Sequence, residues 1–202
     1  VEALAARFAG ANDHGRQVAR LSLKLFDAIA GQLDLRPESR ELVEYAALLH
    51  GIGHAIDHDR HNRHSYYLIK NGDLLGFEPV EIDMIALIAR SHRKQAGKLD
   101  SPQLGALPNE KRRIVRAMVS ILRVADALDR SHLNVVKDIR VACGPARVLI
   151  TVDSSPGADD LELWTCERRT DLLAKLLNRP VSVRHQNCRV ERVTARCSAG
   201  TA

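Results

Sequence analysis

Aromatic side chains are scarce. Phe, Trp and Tyr together make up 3% of the 202 residues, too few for the stacking platforms on which single-stranded nucleic acid lies. No run of eighteen apolar residues occurs, and no basic, apolar and small-residue leader opens the chain, which argues against membrane insertion and export. Internal repeats and low-complexity segments are missing as well. Cysteine does not occur before Cys143, and Cys143, Cys166, Cys188 and Cys197 show no C-x-x-C spacing, which argues against a zinc ribbon or a redox pair. The expectation is a soluble, cytoplasmic chain with reduced, bystander cysteines. Because the first residue is Val1 rather than Met, a fragment of something longer is also among the expectations.

Apolar residues make up 45% of the chain, enough for a substantial core, and the net charge of +5 favours an anionic partner. With so few aromatics, phosphate-rich small molecules or polymers fit that charge better than base readout. Histidine stands out: six of the nine lie between His50 and His92.

The first half reads as helical. Asp13 is placed to cap a helix carrying Val18, Leu21, Leu25 and Ile29, with Gly31 near its end. A second helix starts at Pro37, carries Leu42, Ala46 and Leu49 on one face, and delivers His50 to the glycine-broken loop His50-Gly51-Ile52-Gly53-His54. Ser65 to Lys70 and Pro79 to Arg93 read as further helices, joined at Asn71-Gly72-Asp73. A loop over Gln95 to Asn109 leads into a long helix from about Pro108, with Val115, Met118, Val119, Leu122 and Leu128 as its stripe. Asp126 lies on or beside that stripe, where a carboxylate requires a partner. After about Val135 the texture changes. Val136 to Val141 and Arg147 to Val152 read as strands joined at Gly144-Pro145, and a helix runs from Asp159 or Asp160 to about Asn178. Val181 to His185 supplies a strand, Val190 to Thr194 is a weaker candidate for another, and the tail from Cys197 is expected to fray. The fold expected is mainly α: a helical bundle over 1–135, which the pattern of His14, His50 and Asp126 makes HD-domain-like, then a small α/β (ferredoxin-like half) module over 136–202.

His14, His50 and Asp126 reproduce three of the four residues of the H…HD…D pattern of the HD superfamily, in order, on successive helices. Gly51 stands where the fourth, an Asp, is expected. In that pattern imidazole and carboxylate ligands hold a divalent ion that activates water and polarises a phosphoryl oxygen. The candidate metal ligands are His14, His50, His64, His92 and Asp126, for Mn or Mg, with no cofactor certain and the loss at Gly51 weakening the set. Candidate anion contacts are Arg16, His61, Arg90, Arg93, Arg123 and Arg130. His54, His58, His132 and His185 read as surface or helix-end histidines.

Several longer stretches resemble the C-terminal half of the exopolyphosphatase and guanosine pentaphosphate phosphatase family. They are Ala46-Ala47-Leu48-Leu49-His50-Gly51-Ile52-Gly53, Arg60-His61-Asn62-Arg63-His64-Ser65-Tyr66-Tyr67-Leu68-Ile69 and Asp73-Leu74-Leu75-Gly76-Phe77. Ser91-His92-Arg93-Lys94 and Leu122-Arg123-Val124-Ala125-Asp126-Ala127-Leu128-Asp129-Arg130-Ser131 extend the match, and Asp160-Leu161-Glu162-Leu163-Trp164 is similar to that family's terminal α/β module. The resemblance implies an accessory module that binds polyphosphate or a phosphorylated guanine nucleotide in a basic, histidine-lined cleft. It also implies a homodimer, and an N-terminal actin-like phosphatase domain, in cis or in trans, that performs the phosphoanhydride chemistry. No glycine-rich phosphate loop of that kind occurs here: the one D-x-G match, Asp13-His14-Gly15, opens a helix. Two other readings stand beside this one, a free-standing metal-dependent HD phosphohydrolase and a structural or dimerisation module. No catalytic residue is assigned with certainty.

Overall fold

The computed structural model describes residues 1–9, 13–93, 99–155 and 159–186. The candidate strand at Val190 to Thr194 and the tail from Cys197 lie outside these described residues. The elements are α1 (Glu2–Ala9), α2 (Asp13–Ile29), α3 (Arg40–Leu49), α4 (His61–Asn71), α5 (Pro79–Ser91), α6 (Pro102–Gly105) and α7 (Asn109–Ala127), then β1 (Val136–Cys143), β2 (Val148–Ser154), α8 (Asp160–Glu167), α9 (Asp171–Leu177) and β3 (Val181–His185).

The helices follow from their apolar stripes. Val18, Leu21, Leu25 and Ile29 of α2 are buried, as are Val43, Ala46, Ala47 and Leu49 of α3. Leu42, expected inward, is only half-buried because Val43 takes the inner position. Pro79 at the first turn and a reciprocal capping box between Glu78 and Glu81 start α5. In α7 the buried run includes Val115, Met118, Val119 and Leu122, while Asp126 falls in the last turn. Four elements were not anticipated: α1, the short α6 inside the expected loop, and 3-10 turns at Ala30–Gln32 and Ile52–Ala55. The helix expected over 160 to 178 is two helices. Its apolar spacing is continuous, but at the break Thr170 Oγ1 donates to the Glu167 carbonyl at 2.9 Å, a side-chain bond that competes with the helical ladder.

β1 pairs antiparallel with β2, and β2 pairs parallel with β3, with α8 and α9 forming the crossover. Val148, Ile150 and Val152 are buried on one face of β2, and Ile139 sits opposite Val152 across the β1–β2 pair. β1 packs on α2, while α8 and α9 pack on α7. The result is a helical body with a small mixed sheet and two covering helices at its C-terminal end. Among the described residues no helix is long and apolar enough to cross a membrane.

The arrangement has one consequence for the site. The C-terminal ends of α3, α5 and α7 and the start of α2 come to the same pole, where His50, His92, Asp126 and His14 line one pocket.

Candidate functional site: a histidine pocket at the helix ends

The floor of the pocket is built by a repeated local device. His50 caps α3 and its Nδ1–H donates to the Ala47 carbonyl at 2.6 Å; His92 caps α5 and its Nδ1–H donates to the Ala89 carbonyl, also at 2.6 Å. Each is an Ala-x-x-His ending in which the imidazole folds back on its own last turn. His61 does the same to the His58 carbonyl at 3.0 Å, and His14 Nδ1–H donates to Asp129 Oδ2 at 2.7 Å. With Nδ1 occupied, Nε2 is the atom left for the pocket, so the bonds fix the tautomer.

Three of these atoms and side chains converge closely. His14 Nε2 lies 3.2 Å from His50 Nε2, and Asp126 Oδ1 lies 3.5 Å from the first and 3.4 Å from the second. His92 stands edge-on to His50 at 4.9 Å between ring centroids, and His61 follows at 5.5 Å from His92. Burial alone would lower the pKa of His14, but Asp126 and Asp129 outweigh it and hold the imidazolium up to about 9. Burial likewise favours the neutral form of Asp126, but the protonated His14 beside it overcomes this and holds the carboxyl well below the usual carboxylate range. Burial pushes His92 down to about 3 and lowers His61. The floor is thus one protonated imidazole between carboxylates, backed by neutral ones.

The His14 shift has a measurable sign. Its folded pKa of about 9 lies above the ordinary 6.5, so its stabilisation is complete below about pH 6.5 and is lost as the pH rises through about 9. The urea midpoint is expected to fall between those pH values, and His14→Gln to flatten that limb. A wild-type midpoint that stays level across the interval would refute the assignment.

Above the floor sit His54, His58, His132, Arg93, Arg130 and Arg169, in an open pocket of about 140 Å³. That is well beyond the roughly 10–15 Å³ that one water needs. His132 stacks on His14 at 3.7 Å with planes 5° apart, and it holds φ 59°, a left-handed conformation rare outside glycine. Asp129 shapes this strap: its carbonyl accepts from His132 N at 3.1 Å and its Oδ1 from Asn134 N at 2.9 Å. On the other side Ser65 clamps the histidine loop, donating to the His50 carbonyl at 2.7 Å and accepting from Gly53 N at 2.9 Å.

The structure brings together His14, His50, His92 and Asp126, with His61, Arg93 and Arg130 on the same pocket. It places the other expected residues elsewhere. His64 lies on α4 with its Nε2 3.9 Å from Asp57 Oδ2. Arg16 is exposed on α2, and Arg90 lies over the Tyr66 ring at 5.1 Å. Arg123 is 1% exposed and donates from Nη2 to Asp171 at 2.8 Å. Sequence reasoning missed Asp129, His132, His54, His58 and Arg169. Asp129 had a signal, the three-residue step from Asp126 on one helix end; the strap and Arg169 had none that is local.

Gly51 is not required by the backbone. Its φ is −93°, and a Cβ built there would meet only His54 Cδ2 at 3.8 Å. The position has room for a side chain. Among the described residues, His14, His50 and Asp126 bring ligand atoms within 4.8 Å of one another and form a group that could hold an ion. Two imidazole nitrogens and one carboxylate oxygen fit Mg2+, which prefers oxygen throughout, less well than a first-row divalent ion, with Mn2+ the weakest binder of that series. In a comparison with known families, the family model described as Ppx/GppA phosphatase, domain III, matches residues 1–144.

Proposed function

The chain belongs to the Ppx/GppA phosphatase family by its third domain, and on that premise we propose that its pocket binds a phosphate-rich anion, polyphosphate or a phosphorylated guanine nucleotide. In this reading the chain is an accessory module, residues 1–135 forming the helical domain and 136–202 the α/β module. The phosphoanhydride chemistry belongs to an actin-like phosphatase domain, in cis or in trans.

One observation carries the reading. Arg93, Arg130 and Arg169 line the pocket, and among the described residues none has a carboxylate partner. Arg36, Arg40, Arg113, Arg116 and Arg123 are each paired with a carboxylate, and what distinguishes Arg93, Arg130 and Arg169 from other arginines without one is that all three line a single concavity. Three guanidiniums without a carboxylate partner, lining one concave site, are suited to phosphoryl oxygens, which they can meet with charge-assisted and bidentate bonds. Inside the pocket, the protonated His14 lies between Asp126 and Asp129 and offsets part of their charge.

Titration of medium-chain polyphosphate into the purified chain tests this. Binding is expected to weaken steadily with added KCl, and Arg130→Ala to weaken it by about tenfold, the value of one charge-assisted contact. Absence of binding at low salt, or affinity indifferent to salt and to Arg130→Ala, would sink the reading.

The convergence of His14 Nε2, His50 Nε2 and Asp126 Oδ1 favours a second reading, a metal-dependent phosphohydrolase. An ion bound there supplies Lewis acidity toward a phosphoryl oxygen. The chain's own residues would orient it: Asp129 and the Ala47 carbonyl set the tautomers of His14 and His50. Phosphate release with Mn2+ that disappears in Asp126→Ala would decide for this reading over the first.

A further inference from the structure

Arg169 reaches the pocket from the far end of the chain. After α7 the backbone forms the β1–β2 hairpin and returns along α7 as α8, where Cys166 Sγ lies 4.0 Å from the Val124 carbonyl oxygen. The helix then breaks, and at the break Arg169 Nη1 donates to the Arg93 carbonyl at 3.2 Å. Among the described residues this is the guanidinium's one acceptor, which leaves its other donors to the pocket it lines.

The seat of Arg169 is built rather than incidental. Its backbone N donates to the Cys166 carbonyl at 2.8 Å. Two residues on, Asp171 opens α9 and takes Nη2 of Arg123, a fully buried guanidinium whose Nε and Nη1 have no partner among the described residues. A buried charge left alone is costly, so Asp171 is held where Arg123 places it and the turn carrying Arg169 is held with it.

We infer that the α/β module completes the anion site: Arg169 is a ligand-contacting residue that binds phosphoryl oxygens together with Arg93 and Arg130. The helical body alone would offer two of the three cations. The inference rests on the anion-binding reading, and it assigns Arg123 the part of an anchor that positions the third cation.

Inorganic tripolyphosphate is the probe, titrated calorimetrically into the whole chain as wild type, Arg169→Ala, Arg169→Gln, Arg130→Ala and Arg168→Ala. Arg168 is the control for bulk charge, since it lies over the Trp164 ring at 4.2 Å on the outer side of α8. Arg169→Ala is expected to weaken binding about tenfold and to reduce the slope of log affinity against log salt by about one. Arg168→Ala is expected to stay within about twofold of wild type. Arg169→Gln keeps an amide donor for the Arg93 carbonyl, so a loss there with an unchanged melting temperature is binding and not unfolding. Equal losses in the Arg168 and Arg169 variants, or no loss in either Arg169 variant while Arg130→Ala binds poorly, overturn the inference and leave the pocket reading standing. Failure of the wild type to bind overturns the pocket reading itself.

Discussion

Gly53→Ala is expected to destabilise the protein by about 3 kcal/mol or more and to abolish anion binding with it. A Cβ at this position would stand 2.0 Å from the His61 carbonyl oxygen and 2.5 Å from Ser65 N, both backbone atoms of α4. Neither is the end of a flexible side chain, so the methyl can be admitted only by moving the helix or the loop. Moving either breaks the Ser65 clamp, because Gly53 N and the His50 carbonyl are its two partners. His50 and His61 then lose register together, which is why binding goes with stability. Urea denaturation followed by circular dichroism measures the first effect and polyphosphate titration the second. A variant within about 0.5 kcal/mol of wild type would show that the loop does not depend on this close approach.

Gly51→Asp, two residues earlier, is expected to do the opposite: fold normally and gain Mn2+ affinity by about tenfold or more, while losing affinity for tripolyphosphate in metal-free buffer. The backbone is right-handed with φ −93°, and the new Cβ meets nothing nearer than 3.8 Å. The added carboxylate would join His14, His50 and Asp126 as a fourth ligand and add negative charge to a site that recruits anions. Calorimetry with Mn2+, and with tripolyphosphate in chelator-treated buffer, reads both changes. If neither affinity moves, the floor is not the place where ions and phosphate are weighed against each other.

The helical body was legible because its signals are periodic. The stripes of α2, α3 and α7 and the proline-started α5 can be read from spacing alone, and the order of His14, His50 and Asp126 falls on three of those helices. α4 shows where spacing fails. Begun at Ser65 it leaves His61 and His64 in one loop, whereas the real start at His61 turns His61 toward the pocket and His64 toward Asp57. The break at 168 to 170 was hidden for a different reason: a helix-compatible apolar pattern crosses it, and what accompanies it is a threonine side chain and an ion pair between the exposed Asp171 and the buried Arg123 of α7. His132 depends on a left-handed backbone stabilised by Asp129, and Arg169 on a return path of some length. Both are tertiary facts with no trace in local composition.

That α3, α5 and α7 all end at the pocket has an electrostatic result of its own. A helix carries roughly half a negative elementary charge at its C-terminus, so three of them lend the floor a field that adds to Asp126 and Asp129. The floor therefore attracts positive charge, and the protonated His14 is its resident answer. On the proposed anion-binding reading, a phosphate chain accompanied by its own counter-cation would suit both layers, with His14, His50 and Asp126 as the residues that would hold the cation and the arginines as those that would meet the oxygens.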